Sequence, residues 1–507
     1  MGNGRTEKSA KNMIMGFAYQ AFIMILSFVS RTVFIYTLGK EYLGLNSIFS
    51  DVLTLLSMAD LGFNTAMAYS FYKPLVDKDY DKIRSLISFY KRIYNIIAGI
   101  VLALGLACIP FLKYIINTDK EIPHLVLYYI FALINVVISY LFVYKTTLLT
   151  ADQKNYKILS INMYTSAIKV ILQIILLLLT KNYILYLAVG VVMQFMSNYL
   201  ASRKTEKEYP YLKEKGRPDV IDKSAQKAIF SNMKSVFIYK VSNTIFSATD
   251  NIIISMIIST AAVGLYSNYF MISSKLMLIE NIVFSALTAS VGNVIAKENA
   301  AKRYQVFKAL QSASFIFCGI ISSVFCVMVN DLICVWLGND FVLSDIMVIA
   351  VTLNTYLSCV LLPLWTYRDA TGIYMKTKYI MLVGAILNII LSVVLGKIIG
   401  LAGIIFASAI SRLSTYFWYE PKLLFKEYFE TGVSGYYISI FKNVMLVAVT
   451  VVTLTYFSKM YTVSGWIPFI IKGVIIGIIC CIVYMGIYSR TEGFRIILDK
   501  AKKILKR

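Results

Sequence analysis

The chain has 507 residues, 58% of them hydrophobic and only 15% charged, with a mean hydropathy of +0.70. A soluble domain cannot hide that much apolar surface, so that class is excluded. The formal net charge of +23 would suit a nucleic-acid binder. The basic residues, however, sit in short connections between apolar runs, where the positive-inside rule accounts for them.

Apolar runs of roughly 20 residues recur, about the length a helix needs to cross a bilayer. Only helices and closed barrels satisfy every backbone polar group in lipid, and a barrel alternates in segments of about 10 residues. Unbroken runs such as Ile168–Thr180 and Tyr379–Leu395 therefore predict an all-α polytopic membrane protein. In chain order the expected spans are 13–38, 43–71, 93–116, 123–149, 158–180, 183–202, 229–258, 263–290, 305–329, 341–366, 378–396, 400–419, 436–457 and 467–489, about fourteen in all. The first run starts near Met13, is too long for a signal peptide and lacks a small-residue cleavage site, so it is expected to stay in the mature protein.

The alternate connections, with both termini, carry 35 Lys and Arg residues; the opposite ones carry only Lys40, Lys113, Lys120, Lys181, Lys397 and Lys459. That bias puts both termini in the cytoplasm and favours an even number of spans. The stretch Arg203–Lys227, with Pro210, Gly216 and Pro218, reads as a linker. The expected divisions are an N-terminal lobe (1–205), a linker (206–228), a second lobe (229–430), two further helices (431–489) and a basic tail (490–507). The tail reads either as an amphipathic helix on an anionic leaflet or as a solvated basic extension.

Enzyme chemistry finds little to work with. The outward loops, such as Asn117–Pro123 and Asn330–Asp340, leave no room for a large external catalytic domain. His124 is the only histidine, which removes paired-histidine zinc motifs and makes a serine–histidine hydrolase improbable. The seven cysteines show no CxxC spacing and read as small apolar residues. No metal or organic cofactor is expected.

The halves align at an offset of 220 residues: Leu43-Gly44-Leu45-Asn46-Ser47 falls on Val263-Gly264-Leu265-Tyr266-Ser267, Asp60 on Glu280 and Lys82 on Lys302. A duplicated unit of six helices keeps one orientation in both copies, giving two six-helix lobes in a parallel repeat with two C-terminal helices outside it. Leu38-Gly39, Tyr42-Leu43-Gly44-Leu45, Ala59-Asp60-Leu61-Gly62-Phe63, Val335-Trp336-Leu337-Gly338-Asn339-Asp340-Phe341 and Gly400-Leu401-Ala402-Gly403-Ile404 together resemble the multidrug/oligosaccharidyl-lipid/polysaccharide (MOP) exporter superfamily. Within it the chain resembles the Wzx-like polysaccharide transporters. The major facilitator type is the other fold of two parallel six-helix halves, but the second-to-third connection here, Tyr72 to Asp81, lacks its Gly/Asp/Arg-rich signature.

Charge inside a span marks a functional candidate. Gly16, Gln20, Ser27 and Arg31 fall within about 60° on a helical wheel. Asn46, Ser50, Ser57, Asp60 and Asn64 share a face of the second span. Lys240, Asn243, Ser247 and Asn251 do so in the seventh, with Asp250 beside them; the eighth adds Ser267, Ser274 and Asn281, with Lys275 and Glu280 off that face. The resemblance implies that spans 1, 2, 7 and 8 line a central cavity. Arg31, a permanent cation able to bind phosphate bidentately, is the first candidate for an anionic headgroup; Lys169, Lys240, Lys275 and Arg412 are further cations, and Gln20, Asn46 and Asn243 are polar partners. The alternatives are an ion pair of Arg31 with Asp250 or Asp60, and lysines that snorkel to the interface. Asp60, Asp250 and Glu280 are candidates for coupling to a proton or sodium gradient, or for pairing with these cations.

The resemblance implies a flippase of the bacterial cytoplasmic membrane. It would move a polyprenyl-pyrophosphate-linked oligosaccharide between leaflets by alternating access, for capsule, exopolysaccharide, O-antigen or teichoic-type assembly. Membrane lipids, a polysaccharide polymerase and glycosyltransferases are the expected partners, and nucleic acid is not. A lipid II-type precursor flippase and a cation or drug antiporter are the alternative readings.

Overall fold

The structure is a computed structural model describing residues 2–60, 63–213, 237–496 and 498. Every regular element among the described residues is a helix, as lipid demands of a backbone with no water to satisfy it. The chain divides into two compact units, residues 1–264 and 265–507.

The first unit contains α1 (Gly2–Leu56), α2 (Phe63–Asp77), α3 (Tyr80–Ala107), α4 (Leu112–Ile115), α5 (Leu125–Tyr140), α6 (Val143–Ala151), α7 (Asn155–Thr180) and α8 (Tyr183–Glu208). A helical stretch α9 over 237–248, α10 (Asp250–Ile257) and the first turn of α11 (Thr260–Lys297) complete it. The run α1 folds back at Gly39, whose φ of 87° and ψ of −179° suit a residue without Cβ. Polar side chains start the following helices: Asp79 accepts from the Lys82 amide, and Asn182 from those of Ile184 and Leu185, satisfying amides that the first turn leaves open. α7 packs along α1 and α8, α5 along α8, and α10 against α1 and α4.

The second unit continues α11 and adds α12 (Ala300–Leu337), α13 (Asp345–Val360), α14 (Leu362–Thr371), α15 (Tyr374–Ile399), α16 (Leu401–Ser414), α17 (Tyr416–Leu424), α18 (Ser434–Ser458) and α19 (Trp466–Tyr488). Its spine is α12, packed on α13, α18 and α19. Gly319 of α12 lies under the Tyr484 ring of α19, where a Cβ would collide with the ring; small residues allow such approach in membranes. Buried polar bonds finish the join: Tyr356 Oη donates to Asn443 Oδ1 over 2.7 Å, Asn443 Nδ2 donates to Tyr488 Oη over 2.7 Å, and Ser323 and Tyr484 share a bond of 2.8 Å. At the other end of α19, Lys472 Nζ reaches Asp331 Oδ2 over 2.8 Å. The helices α13 and α14 meet at 42°, where Pro363 opens α14 and its ring cannot continue the preceding helix.

Among the described residues, ten helices are long and apolar enough to cross a membrane, or twelve if each of two bent pairs is one span. The expected number was fourteen. The difference has identifiable sources. The first expected span and the start of the second meet at a kink at Gly39 and count together as one stretch, and the seventh expected span begins in residues that are not described. Residues 214–228 of the expected linker, 229–236 of the expected second lobe, and 497 and 499–507 of the tail lie outside the described residues, as do Leu61, Gly62 and the Asp60 and Asn64 side chains. Where the tail begins, Lys308 Nζ meets Glu492 Oε2 over 2.6 Å.

Candidate functional site

A cavity of ≈ 390 Å³ opens inside the first unit, within the size range of small-ligand sites. One wall is α1, which turns Asn46, Ser50 and Thr54 toward it, with Ser57 in the turn that follows; α5 adds Asn135, α7 adds Lys169 and Gln173, and α8 adds Tyr186. Helical spacing explains the wall: 46, 50, 54 and 57 recur every three to four residues along one stripe, and 169 and 173 are one turn apart.

The polar groups are held, not loose. Gln173 Nε2 donates to the Tyr186 carbonyl oxygen over 3.0 Å, which fixes the amide and leaves its oxygen for a guest. Tyr183 Oη donates to Asn46 Oδ1 over 3.4 Å. Asn135 Oδ1 is buried with no hydrogen-bond partner, a costly state for an acceptor that a donor in the cavity would relieve. Behind Tyr186 stands an aromatic cluster in which Phe34 meets Tyr186 with ring centroids 5.1 Å apart, and Tyr128 meets Tyr183 at 4.8 Å. Arg31 on α1 is close enough to Tyr186 for the two side chains to interact electrostatically. The ensemble offers one cation inside the cavity, a second beside its wall, and amides, hydroxyls and an aromatic ring between them. It can bind an anionic group and polar hydroxyls; it holds no nucleophile–base pair. Among the described residues no group of three or more His, Cys, Asp or Glu could hold a metal ion.

The sequence candidates distribute as follows. Asn46 and Lys169 line the cavity, and Arg31 adjoins it through Tyr186. Gln20 is half-buried farther back on α1 and does not line it. Lys240 is half-buried and Asn243 exposed on α9, while Asp250 opens α10; these too are away from the lining. Lys275, Glu280 and Arg412 belong to the second unit. There Arg412 Nη1 donates to Ser358 Oγ over 2.6 Å. Glu280 is wholly buried, with the Ser314 and Cys359 side chains beside it, and Ser314 Oγ donates to the Cys359 carbonyl over 2.9 Å. Gln173, Asn135 and Tyr186 escaped sequence reasoning. Gln173 had a signal, since it lies one turn from Lys169; Tyr186 and Asn135 had none, because single polar residues in apolar runs look alike.

A family model described as "Polysaccharide biosynthesis protein" matches residues 9–291. In fold the chain is similar to the lipid II flippase MurJ in an inward closed conformation, at 16% identity and a TM-score of 0.63, covering 94% of this chain and 98% of that one. It is also similar to an inward-facing multidrug resistance MATE family transporter of the MOP superfamily, at 12% identity and a TM-score of 0.57, over 80% and 97% of the two chains. A eukaryotic MATE transporter matches at 13% identity and a TM-score of 0.51, over 80% and 94%. At such identities the likeness shows the fold alone, and it agrees with the all-helical membrane fold read from the sequence. No curated protein matches.

Proposed function

The chain belongs to the family of polysaccharide biosynthesis proteins, and from that premise we propose that it is a flippase for a polyprenyl-pyrophosphate-linked oligosaccharide. It takes this cargo from the inner leaflet of a bacterial cytoplasmic membrane and delivers it to the outer one by alternating access, with both termini cytoplasmic and no bond made or broken. Glycosyltransferases that build the cargo act before it, and a polymerase that consumes the cargo acts after it.

The observation that carries this reading is the cavity of the first unit, with Lys169 and Gln173 beside Asn46 and Asn135. A diphosphate inside a bilayer needs a cation and donors that replace its water. Sugar hydroxyls need amides and hydroxyls of their own, while the lipid tail stays among the exposed apolar side chains. A cation exporter would favour an acidic lining. In the second unit, buried Glu280 supports coupling to a proton or sodium gradient: a carboxylate in an apolar interior is costly unless a proton or a cation neutralises it.

Depletion of the protein in its native cell tests the reading. Lipid-linked repeat units accumulate on the inner leaflet and surface polysaccharide falls, whereas undisturbed delivery of the repeat unit removes the proposal. The fold likeness to a lipid II flippase favours one second cargo, a lipid-linked peptidoglycan precursor. Accumulation of that precursor instead of the oligosaccharide would select it.

A further inference from the structure

The bonds around the cavity of the first unit leave its lining rich in acceptors. Two hydroxyls spend their hydrogens on their own backbone: Thr54 Oγ1 donates to the Ser50 carbonyl over 2.7 Å, and Ser57 Oγ to the Leu53 carbonyl over 2.7 Å. Gln173 spends its nitrogen on the Tyr186 carbonyl, which turns its oxygen to a guest. Asn135 lines the cavity too. Its Oδ1, buried in the empty site, has no hydrogen-bond partner, so turning the amide toward a guest's donor breaks no bond at that oxygen.

Fewer groups are left to donate. Lys169 is the cavity's cation, and Asn46 keeps its Nδ2 for a guest because its Oδ1 accepts from Tyr183 Oη. A diphosphate brings acceptors only. It satisfies Lys169 and Asn46, but it sets lone pairs against the lone pairs of the other oxygens. A sugar ring brings hydrogens on its substituents and can give them to those oxygens. At ≈ 390 Å³ the cavity has the size of a small-ligand site, so it takes a ring and not a whole glycan. Lys169 in the same lining makes it the ring joined to the diphosphate.

The surroundings of Asn135 narrow the chemistry of that ring. Phe131, Ala132 and Val136 of α5 line the cavity on either side of it. A hydroxyl placed here gains one bond and leaves lone pairs against hydrocarbon, which costs free energy. An acylamino substituent matches the surface better. Its N–H has the Asn135 oxygen to donate to, its methyl has the apolar side chains of α5 to rest on, and its carbonyl has Asn46 Nδ2 or Lys169 to accept from.

We propose that the cavity of the first unit recognises an N-acylated amino sugar, the one joined to the diphosphate of the cargo, and that Asn135 and Gln173 set this preference. The assignment rests on the flippase reading for the lipid and the diphosphate. A hexose with a plain hydroxyl in place of the acylamino group loses both the methyl contact and the matched bond at Asn135.

The test titrates the purified full-length protein with two probes, a short-chain polyprenyl diphosphate carrying N-acetylglucosamine and its glucose counterpart. The acetamido probe binds about ten- to a hundredfold more tightly. Equal affinities, a preference for glucose, or binding of neither probe overturns the proposal. Asn135→Leu keeps the volume and removes the acceptor. The preference then shrinks to a few-fold, while the unfolding temperature of the empty protein holds or rises, because a buried acceptor without a bond is gone. A lost preference with a large fall in unfolding temperature means that Asn135 acts through packing, and its assignment is wrong. Should that variant not fold, Asn135→Ala reads the same change, and the comparison of the two probes needs no variant. The readout is binding, so it fails separately from the transport reading. Undisturbed delivery in depleted cells with the preference intact removes the flippase and leaves the sugar site; equal affinities in a protein whose depletion traps repeat units do the reverse.

Discussion

Arg368 Nη1 reaches Glu420 Oε1 over 3.4 Å, joining α14 to α17 with side chains only 8% and 1% exposed. Removing one member of such a pair strands the other's charge in a low-dielectric interior, which costs about 3–5 kcal/mol. Glu420→Ala should therefore lower stability in detergent by that order. Replacing both residues together by methionine should cost far less. Thermal unfolding of the purified variants separates the two outcomes, and equal losses would mean the pair is not the source.

Lys169 supplies the cavity's own cation, and a charge-assisted bond to a diphosphate is worth about 1.5–3 kcal/mol. Lys169→Ala should weaken cargo binding by about ten- to a hundredfold, with unfolding temperature little changed. Gln173→Ala should act in the same direction and less strongly, because it also frees the Tyr186 carbonyl. Titration of the reconstituted protein with a lipid-linked saccharide reads both.

Arg31 adjoins the cavity through Tyr186. Arg31→Ala should reduce transport, and Arg31→Lys should retain part of it if charge alone matters. Full activity of Arg31→Ala would take this residue out of the site.

Glu280→Gln keeps the shape of the side chain and removes its capacity to carry a proton or bind a cation. Transport by this variant should stop responding to an imposed proton or sodium gradient, while cargo binding in the first unit is kept. A variant that still follows either gradient would assign coupling elsewhere.

Lys154 is partly buried, which lowers its pKa. Hydrogen bonds that it donates to Asp152 and Glu208 outweigh that effect and raise it above the ordinary lysine value of 10.5. A raised lysine pKa contributes stability below the unfolded value and loses it as pH climbs through the folded one. Stability should thus be insensitive to this group at neutral pH and decline above about pH 10.5. Lys154→Met should flatten that part of the alkaline decline, measured by unfolding between neutral and strongly alkaline pH.

The all-helical fold was legible because lipid enforces a length and a polarity on each helix. Individual roles were harder. Arg368 counted in the sequence as one more basic residue of an inner connection, and nothing local revealed that it is buried against Glu420. Asn46 and Lys169 carried enough signal to be singled out, but Asp51 did not, since its partner Asn251 lies 200 residues away. Gly39 breaks the helix, as a glycine beside an apolar run can, and its φ of 87° marks where two helices meet. Periodicity reports faces of a helix; it does not report which face meets which neighbour.

The reciprocal fit of Gly44 and Gly264 has an evolutionary corollary. A Cβ at Gly44 would meet the Thr260 carbonyl oxygen and one at Gly264 the Lys40 carbonyl oxygen, so each backbone forbids a side chain on the other. The two positions should stay as glycine in distant relatives even where the flanking residues have diverged. A relative that carries alanine at one of them should show compensation at the residue matching Lys40 or Thr260.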